Sequence, residues 1–462
     1  MINNKKNINA IIAANRFGLG ARPNEIKQAT NTPKQWLISS LSNIAPPPEA
    51  PTAIEMMRLF AQYKKEKNNL KKQALSMNEA KDSAPLKPKI KPNIILQENS
   101  ALLINKALQA NDSINWRLLD FFSNHFSVTS NSPKMKLIAP SMDWDAIAPN
   151  LTGHFGDMLT AVVSHPAMLL YLNNEKSIGP DSINGKKRKK LGLNENLARE
   201  ILELHTLGVQ GGYKQTDIIG LAKAISGWSV VRTTKTDELS KDSAFLYKEK
   251  NHQPGSFVIL GKEYAETKNS TNQARSVLKD LAAHPSTAEH LCTKLAKHFI
   301  SDNPPRDLIS SMAKTWLNTN GHLKEVYITM INSKHSWQVN TEKYKTPREF
   351  FISTLRALNV STVATKKITR SLKHLGQTPY NAGSPAGYGD TRADWDGANA
   401  LYTRIDWAVQ VSKQYRKHSI IQLIHNALNS HLNKQTELIV SRAESQQQAI
   451  ALLLMSPDFL HR

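Results

Sequence analysis

The chain has 462 residues, 40% of them hydrophobic and 21% charged, with a formal net charge of +22. That composition supports a sizeable buried core and excludes a chain disordered throughout. A single cysteine, Cys292, excludes an intramolecular disulfide framework, a cysteine-based zinc site and iron–sulfur ligation, and no apolar run approaches the roughly 20 residues that cross a bilayer.

In chain order, the start offers Lys5-Lys6 and then Ile8-Asn9-Ala10-Ile11-Ile12. Asn9 interrupts the short apolar part, no small-residue cleavage site follows and no twin-arginine pair is present, so the segment reads as the first helix rather than an export signal. By that reading the protein is cytoplasmic. The proline-rich stretch Ala45 to Pro51 and the Pro/Lys stretch Pro85 to Pro92 bracket a basic insertion, residues 53–95. From Lys64 to Lys91 it carries nine lysines against three acids, and it is expected to be a peripheral arm. A second run, Lys186 to Lys190, is wholly basic. Such runs suit a polyanion or a solvated loop. No nucleic-acid-binding signature accompanies them, so no specific nucleic acid is expected.

Helix-period patterning covers most of the chain. One stretch runs from Ser100 to Phe126, broken at Asn111-Asp112-Ser113. Gly156 to Leu172 follows, with Pro166 starting a new helix in its first turn. Asn194 to Leu207 ends at Gly208, a good C-terminal cap, and Thr216 to Trp228 is next. Residues 243–261 differ: Phe245, Tyr247 and Phe257 to Leu260 flank Pro254-Gly255 and predict a small β-hairpin. Helices then resume from Ser270 to Asn303 and continue through Arg306–Asn318, Leu323–Ser333, Pro347–Leu358, Thr365–Leu375, Gly397–Gln414, Ser419–Leu432 and Gln446–Leu453. Residues 376–397 form a long loop rich in glycine, proline and aromatics, a length that is uncommon without a function. No repeat of fixed period occurs. The expected fold is mainly α: one large multi-helix domain over residues 1–462 with a small hairpin and a long loop.

Several stretches carry a resemblance. They are Asn15-Arg16-Phe17-Gly18-Leu19-Gly20, Trp116 with Asn124-His125-Phe126, His165-Pro166-Ala167-Met168-Leu169, and the run from Leu193 to Gly208 containing Leu197-Ala198-Arg199-Glu200-Ile201-Leu202-Glu203-Leu204-His205. Gly211-Gly212-Tyr213, Ser226-Gly227-Trp228, His252-Gln253-Pro254-Gly255, Leu375-Gly376-Gln377, Ser384-Pro385-Ala386-Gly387-Tyr388 and Ser456-Pro457-Asp458-Phe459 complete the set. In this order they resemble a bacterial family known only as domain-of-unknown-function family eighteen-hundred, over nearly the whole chain. The resemblance implies a mainly helical protein, often exported and hence periplasmic. It also implies a partner, a co-encoded exported protein with alkaline-phosphatase-like features. It implies no reaction and no cofactor. Two departures stand out: many relatives carry an export signal, and the position of Gln253 is often acidic in them.

On the central helix, at about 100° per residue, Leu197, Ile201, Leu204 and Leu207 form one apolar arc, and Glu195, Arg199 and Glu203 line the other side at i, i+4 spacing. That trio reads as a salt-bridge ladder or as part of a site. Glu200 falls inside the apolar arc, where a carboxylate must be paired, bind a metal or be protonated. It is either a structural contact or a tuned acid or base. Glu200, with His125 and Glu203, is therefore the candidate catalytic set. Arg199, His205, His252, Tyr388, Asp390 and Trp395 are the candidate substrate-binding residues, the last three because aromatics beside acids stack on sugars. They could equally be a lid packed on the core. No His-Glu-x-x-His spacing, Gly-x-Ser-x-Gly elbow or phosphate-binding glycine loop occurs, so no metal and no cofactor are expected. Two functions remain open. One is a cell-envelope hydrolase or lyase using carboxylate and histidine acid–base chemistry on a polymeric or anionic substrate. The other is a non-catalytic binding protein, or an export companion and scaffold for a co-encoded partner.

Overall fold

The computed structural model describes residues 2–76, 87–187, 192–231, 243–267, 271–339, 343–429 and 432–462. Residues 77–86 of the expected insertion and 188–190 of the second basic run lie outside them. The described chain is mainly helical, with two small antiparallel strand pairs. Its buried side chains form one cluster running from Ala10 to Leu460. The first helix, Ile2–Ile12, continues into a π-helical turn, Ala13–Phe17. That turn joins distant parts of the chain: Asn15 donates to the Ala427 carbonyl at 3.1 Å and Arg16 to the Ser336 carbonyl at 2.7 Å.

The predicted break at residues 111–113 separates the helices Pro92–Gln109 and Ser113–His125. Pro166 does begin a helix, Pro166–Tyr171, and the His165 side chain caps it by accepting from the Ala167 amide. His284 does the same for the helix Pro285–Phe299. Thr346 and Glu349 form a capping box on Pro347–Ala357, satisfying two amides that the helix itself leaves free.

A hairpin is present, with a different turn from the one predicted. Strand β3 (Phe257–Ile259) pairs with β4 (Lys262–Tyr264), while β1 (Trp228–Val230) pairs with β2 (Phe245–Tyr247). The β3–β4 turn is Leu260-Gly261, both at positive φ, the backbone that a tight two-residue hairpin requires. Asp217 holds Leu260 there by accepting from its amide at 2.8 Å. Phe245–Tyr247 is drawn instead to the fully buried strand that carries Trp228.

The expected peripheral arm begins as the helix Ala53–Ser76. Its first two turns belong to the core: Met57 and Phe60 are buried, the Lys134 ammonium lies 5.4 Å from the Phe60 ring centroid, and the Ala53 amide donates to Asp145 at 2.7 Å. Past Tyr63 the described cations of the arm are exposed, and the Glu66 carboxylate accepts from the Lys89 and Ile90 amides. We therefore propose that the arm proper starts after Tyr63. Replacing residues 64–90 by a short glycine-rich link should leave the thermal midpoint nearly unchanged, since few core contacts are lost. Loss of soluble protein would place the arm in the core.

Candidate functional site

Four segments far apart in the sequence meet around a recess of about 60 Å³. The helix Ser113–His125 contributes Asp120, Ser123 and Asn124, and the π-helical turn Asp143–Ile147 contributes Asp143. His298 comes from the end of the helix Pro285–Phe299, and Arg348 from the first turn of Pro347–Ala357. The long loop covers them with Tyr380, Tyr388 and Asp390.

Specific bonds hold that loop down. Asn124 donates to the Tyr388 carbonyl at 2.9 Å and accepts from its amide at 2.8 Å. Gly387, at φ +81, lies so close to the Asn124 carbonyl that a Cβ would stand 2.4 Å from its oxygen. Only glycine meets both conditions. Tyr388 donates its hydroxyl to the Thr378 carbonyl, and the Trp395 indole donates to the Gly389 carbonyl at 2.8 Å.

Two charge pairs and a lone carboxyl line the recess. Arg348 pairs with Asp120 at 2.7 Å. His298 Nδ1 lies 3.0 Å from Asp390 Oδ2. Burial alone would raise the Asp390 carboxyl, but His298, with its hydrogen bond, Lys343 and Arg117 outweigh burial and bring it to about 2. An ionised carboxylate can only accept, so His298 Nδ1 carries the hydrogen, and Nε2 holds a lone pair whenever the ring is neutral. His298 Nε2 is buried without a hydrogen-bond partner among the described residues. Asp143 accepts from the Tyr380 hydroxyl at 2.7 Å, while its Oδ1 is likewise buried without a partner. Burial raises the Asp143 carboxyl to about 6, against the Tyr380 hydrogen bond and the pull of the nearby Ser123 hydroxyl. Buried polar atoms are normally paired, yet four residues lining this recess, His298, Asp143, Asp390 and Arg348, each keep one without a hydrogen-bond partner among the described residues, which points to a ligand.

Behind the recess the helix Pro285–Phe299 carries His290, Lys294 and His298 at i, i+4 and i+8, on one face. His125 Nε2 reaches the His205 carbonyl at 3.2 Å, and His290 Nε2 reaches the Leu204 carbonyl at 3.2 Å. Each imidazole must donate there, so His125 Nδ1 is free to accept from the Lys294 ammonium at 2.9 Å. Burial and the Lys294 charge hold His125 well below the usual imidazole range, His205 at about 3 and His290 at about 4. Burial lowers Lys294 to about 8 against the pull of Asp390.

The structure separates the residues singled out from sequence. Tyr388, Asp390 and Trp395 belong to the recess or its cover, and His125 and His205 pack behind it. Glu200 is only half-buried, and among the described residues no hydrogen bond or ion pair joins it to His125. Burial raises its carboxyl, Glu203 adds to that, and Arg199 opposes. A π-helical turn, Ile201–His205, follows it directly and breaks the 100° arithmetic. Leu202 and His205 turn inward while Leu204 is half-exposed. Arg199 bridges Glu195 at 3.5 Å and Glu203 at 3.4 Å, a partly exposed ladder. His252 is buried elsewhere, with Nδ1 2.9 Å from the Ser226 carbonyl. Sequence reasoning missed Asp143, His298, Arg348 and Asp120. The one available signal was the i, i+4, i+8 spacing of His290, Lys294 and His298. Among the described residues no group of three or more His, Cys, Asp or Glu side chains could hold a metal ion, and no helix is long and apolar enough to cross a membrane.

Comparison with known proteins gives one match. A family model described as "Protein of unknown function (DUF1800)" aligns with residues 12–461. No curated protein and no solved structure matches the chain.

Proposed function

We propose, for a chain that belongs to the DUF1800 family of proteins of unknown function, that the recess beneath the long loop is an acid–base site. Its chemistry would be that of a hydrolase or lyase of the cell envelope acting on a polar or anionic group. One observation carries this reading: His298, oriented by Asp390, and Asp143 line the same recess, and each keeps a buried side-chain atom, Nε2 and Oδ1, without a hydrogen-bond partner among the described residues. A titratable pair whose surroundings differ so much is a usual arrangement for a general base and a general acid. In hydrolysis His298 Nε2 takes the proton of a water as its oxygen bonds to the electrophilic centre. Protonated Asp143 gives its proton to the departing oxygen, and the two residues are reset by proton exchange with solvent. Arg348 would hold an anionic part of the substrate.

The test is a panel of chromogenic esters, glycosides and acidic polysaccharides. His298→Asn and Asp143→Asn should each lower turnover by about 100-fold or more in protein that circular dichroism shows to be folded. The parent rate should fall as pH rises through about 6, because Asp143 then loses the proton it must give. Full turnover in both variants would remove the recess from the reaction.

A second reading is favoured by the narrowness of the recess, about 60 Å³, which admits few atoms in this conformation. It is a binding protein, or a companion of a co-encoded partner, that holds a small polar group without turning it over. Saturable ligand binding that Arg348→Gln abolishes, with no product released, would select it.

A further inference from the structure

Distinct from the recess, the helix Ala398–Gln414 carries an apolar surface that nothing in the described chain covers. Leu401, Tyr402, Ile405 and Val409 are 41%, 70%, 44% and 45% exposed. At about 100° per residue they form one contiguous stripe, next to the inward face of Arg404, Trp407, Ala408 and Val411. Lys413 lies at the edge of the stripe. Beyond it the helix Thr365–His374 runs alongside: His374 bonds Asp406 at 2.9 Å, and Lys367 lies 5.7 Å from the Tyr415 ring centroid. That neighbour turns Lys366, Arg370 and Lys373 to solvent, and Arg416 and Lys417 are exposed just past Gln414. Asp406, the acid on this face, is already engaged by His374 and Gln410.

From this juxtaposition we infer that the Ala398–Gln414 face docks on an anionic lipid surface, its apolar stripe entering the interface while the bordering cations meet lipid phosphates. The two halves ask for different things. Cations alone would suit any polyanion, and an apolar stripe alone would suit any apolar partner. A stripe edged by six exposed cations matches a surface with both fixed negative charge and an apolar interior. Tyr402 is the one aromatic among the four, and a single ring falls short of the successive platforms on which nucleic-acid bases stack. This surface is independent of the acid–base reading and stands if that one fails.

Co-sedimentation of the purified full chain with vesicles decides it. Vesicles of phosphatidylcholine mixed with phosphatidylglycerol should bind the protein, and vesicles of phosphatidylcholine alone should bind it about tenfold more weakly. Ile405→Asn with Val409→Asn, and separately Lys413→Glu with Arg416→Glu and Lys417→Glu, should each reduce binding by about tenfold or more. These positions are exposed, so circular dichroism should show parent-like helix content. High salt should weaken binding of the parent. Absence of binding, equal binding to both vesicle types, or parent-like binding by the Asn pair would overturn the inference. A concentration-dependent dimer that the Asn pair abolishes, or nucleic-acid binding that both variants lose, would also overturn it by giving the face to another occupant.

Discussion

Replacing Arg356 by leucine is expected to destabilise the protein by about 4 kcal/mol or more, a large share of the roughly 5–15 kcal/mol that holds a typical native state. Arg356 is fully buried on the helix Pro347–Ala357. Its Nη2 meets both carboxylate oxygens of Glu25, at 2.7 and 2.9 Å. Its Nη1 donates to the carbonyls of Ala107 and Ala110, both at 2.9 Å, and Nε donates to the Gly20 carbonyl at 2.8 Å. One guanidinium thus closes the C-terminal end of the helix Pro92–Gln109, which has no following turn to satisfy its carbonyls, and ties it to the Gly18-Leu19-Gly20 bend. Leucine would leave a buried Glu25 charge and several carbonyls unpaired, and removing one partner costs more than the pair contributes. Lysine keeps the charge but lacks the fork and should fall between. Adding Glu25→Leu to Arg356→Leu should recover part of the loss. Chemical denaturation of the three variants measures this, and an unchanged midpoint for Arg356→Leu would refute it.

Arg356 shows what a sequence withholds. Its partners lie more than two hundred residues away, and no local pattern marks an arginine that will be buried. Local signals fared better. Asn111-Asp112-Ser113 ended one helix and began the next, Pro166 opened a helix, and Gly208 took the positive φ expected of a cap. The long loop was legible as a loop because so many glycines, prolines and aromatics without period do not sustain a long helix. The opposite wall of its recess was not legible, because Arg348 sits in an ordinary helical pattern, Asp143 opens a π-helical turn, and the two come together only through tertiary packing. Glu200 was misread for a different reason. A 3.6-residue period cannot anticipate the π turn at Ile201–His205, which sends Leu202 inward in place of Leu204. Two further π turns lie at Ala13–Phe17 and Asp143–Ile147, and the second of these places Asp143 in the recess.

Stability is expected to fall steeply as pH drops below about 6, because three histidines stay neutral inside the protein. Burial and Lys294 hold His125 well below the ordinary imidazole value of 6.5, with His205 at about 3 and His290 at about 4. Their contribution is therefore complete above about 6.5 and is lost as pH falls, since the unfolded chain binds protons that the folded one refuses. Asp143 acts with the opposite sign. Its carboxyl is raised from 3.8 to about 6, so its contribution is present at low pH and is lost as pH rises through about 6. Near pH 5 the unfolded chain gains three protons on the histidines and lacks one on Asp143, a net uptake of about two. Stability should then fall by about 3 kcal/mol per pH unit. Tryptophan fluorescence across an acid titration, repeated at several denaturant concentrations, gives that slope. His205→Leu should reduce the uptake by about one proton. Both ring nitrogens of His205 are buried without a partner among the described residues, so the change removes a buried polar group rather than a bond and should move the acid midpoint downward. An acid midpoint unmoved by His205→Leu, or a transition without net proton uptake, would mean that the buried imidazoles do not set the acid limit of this fold.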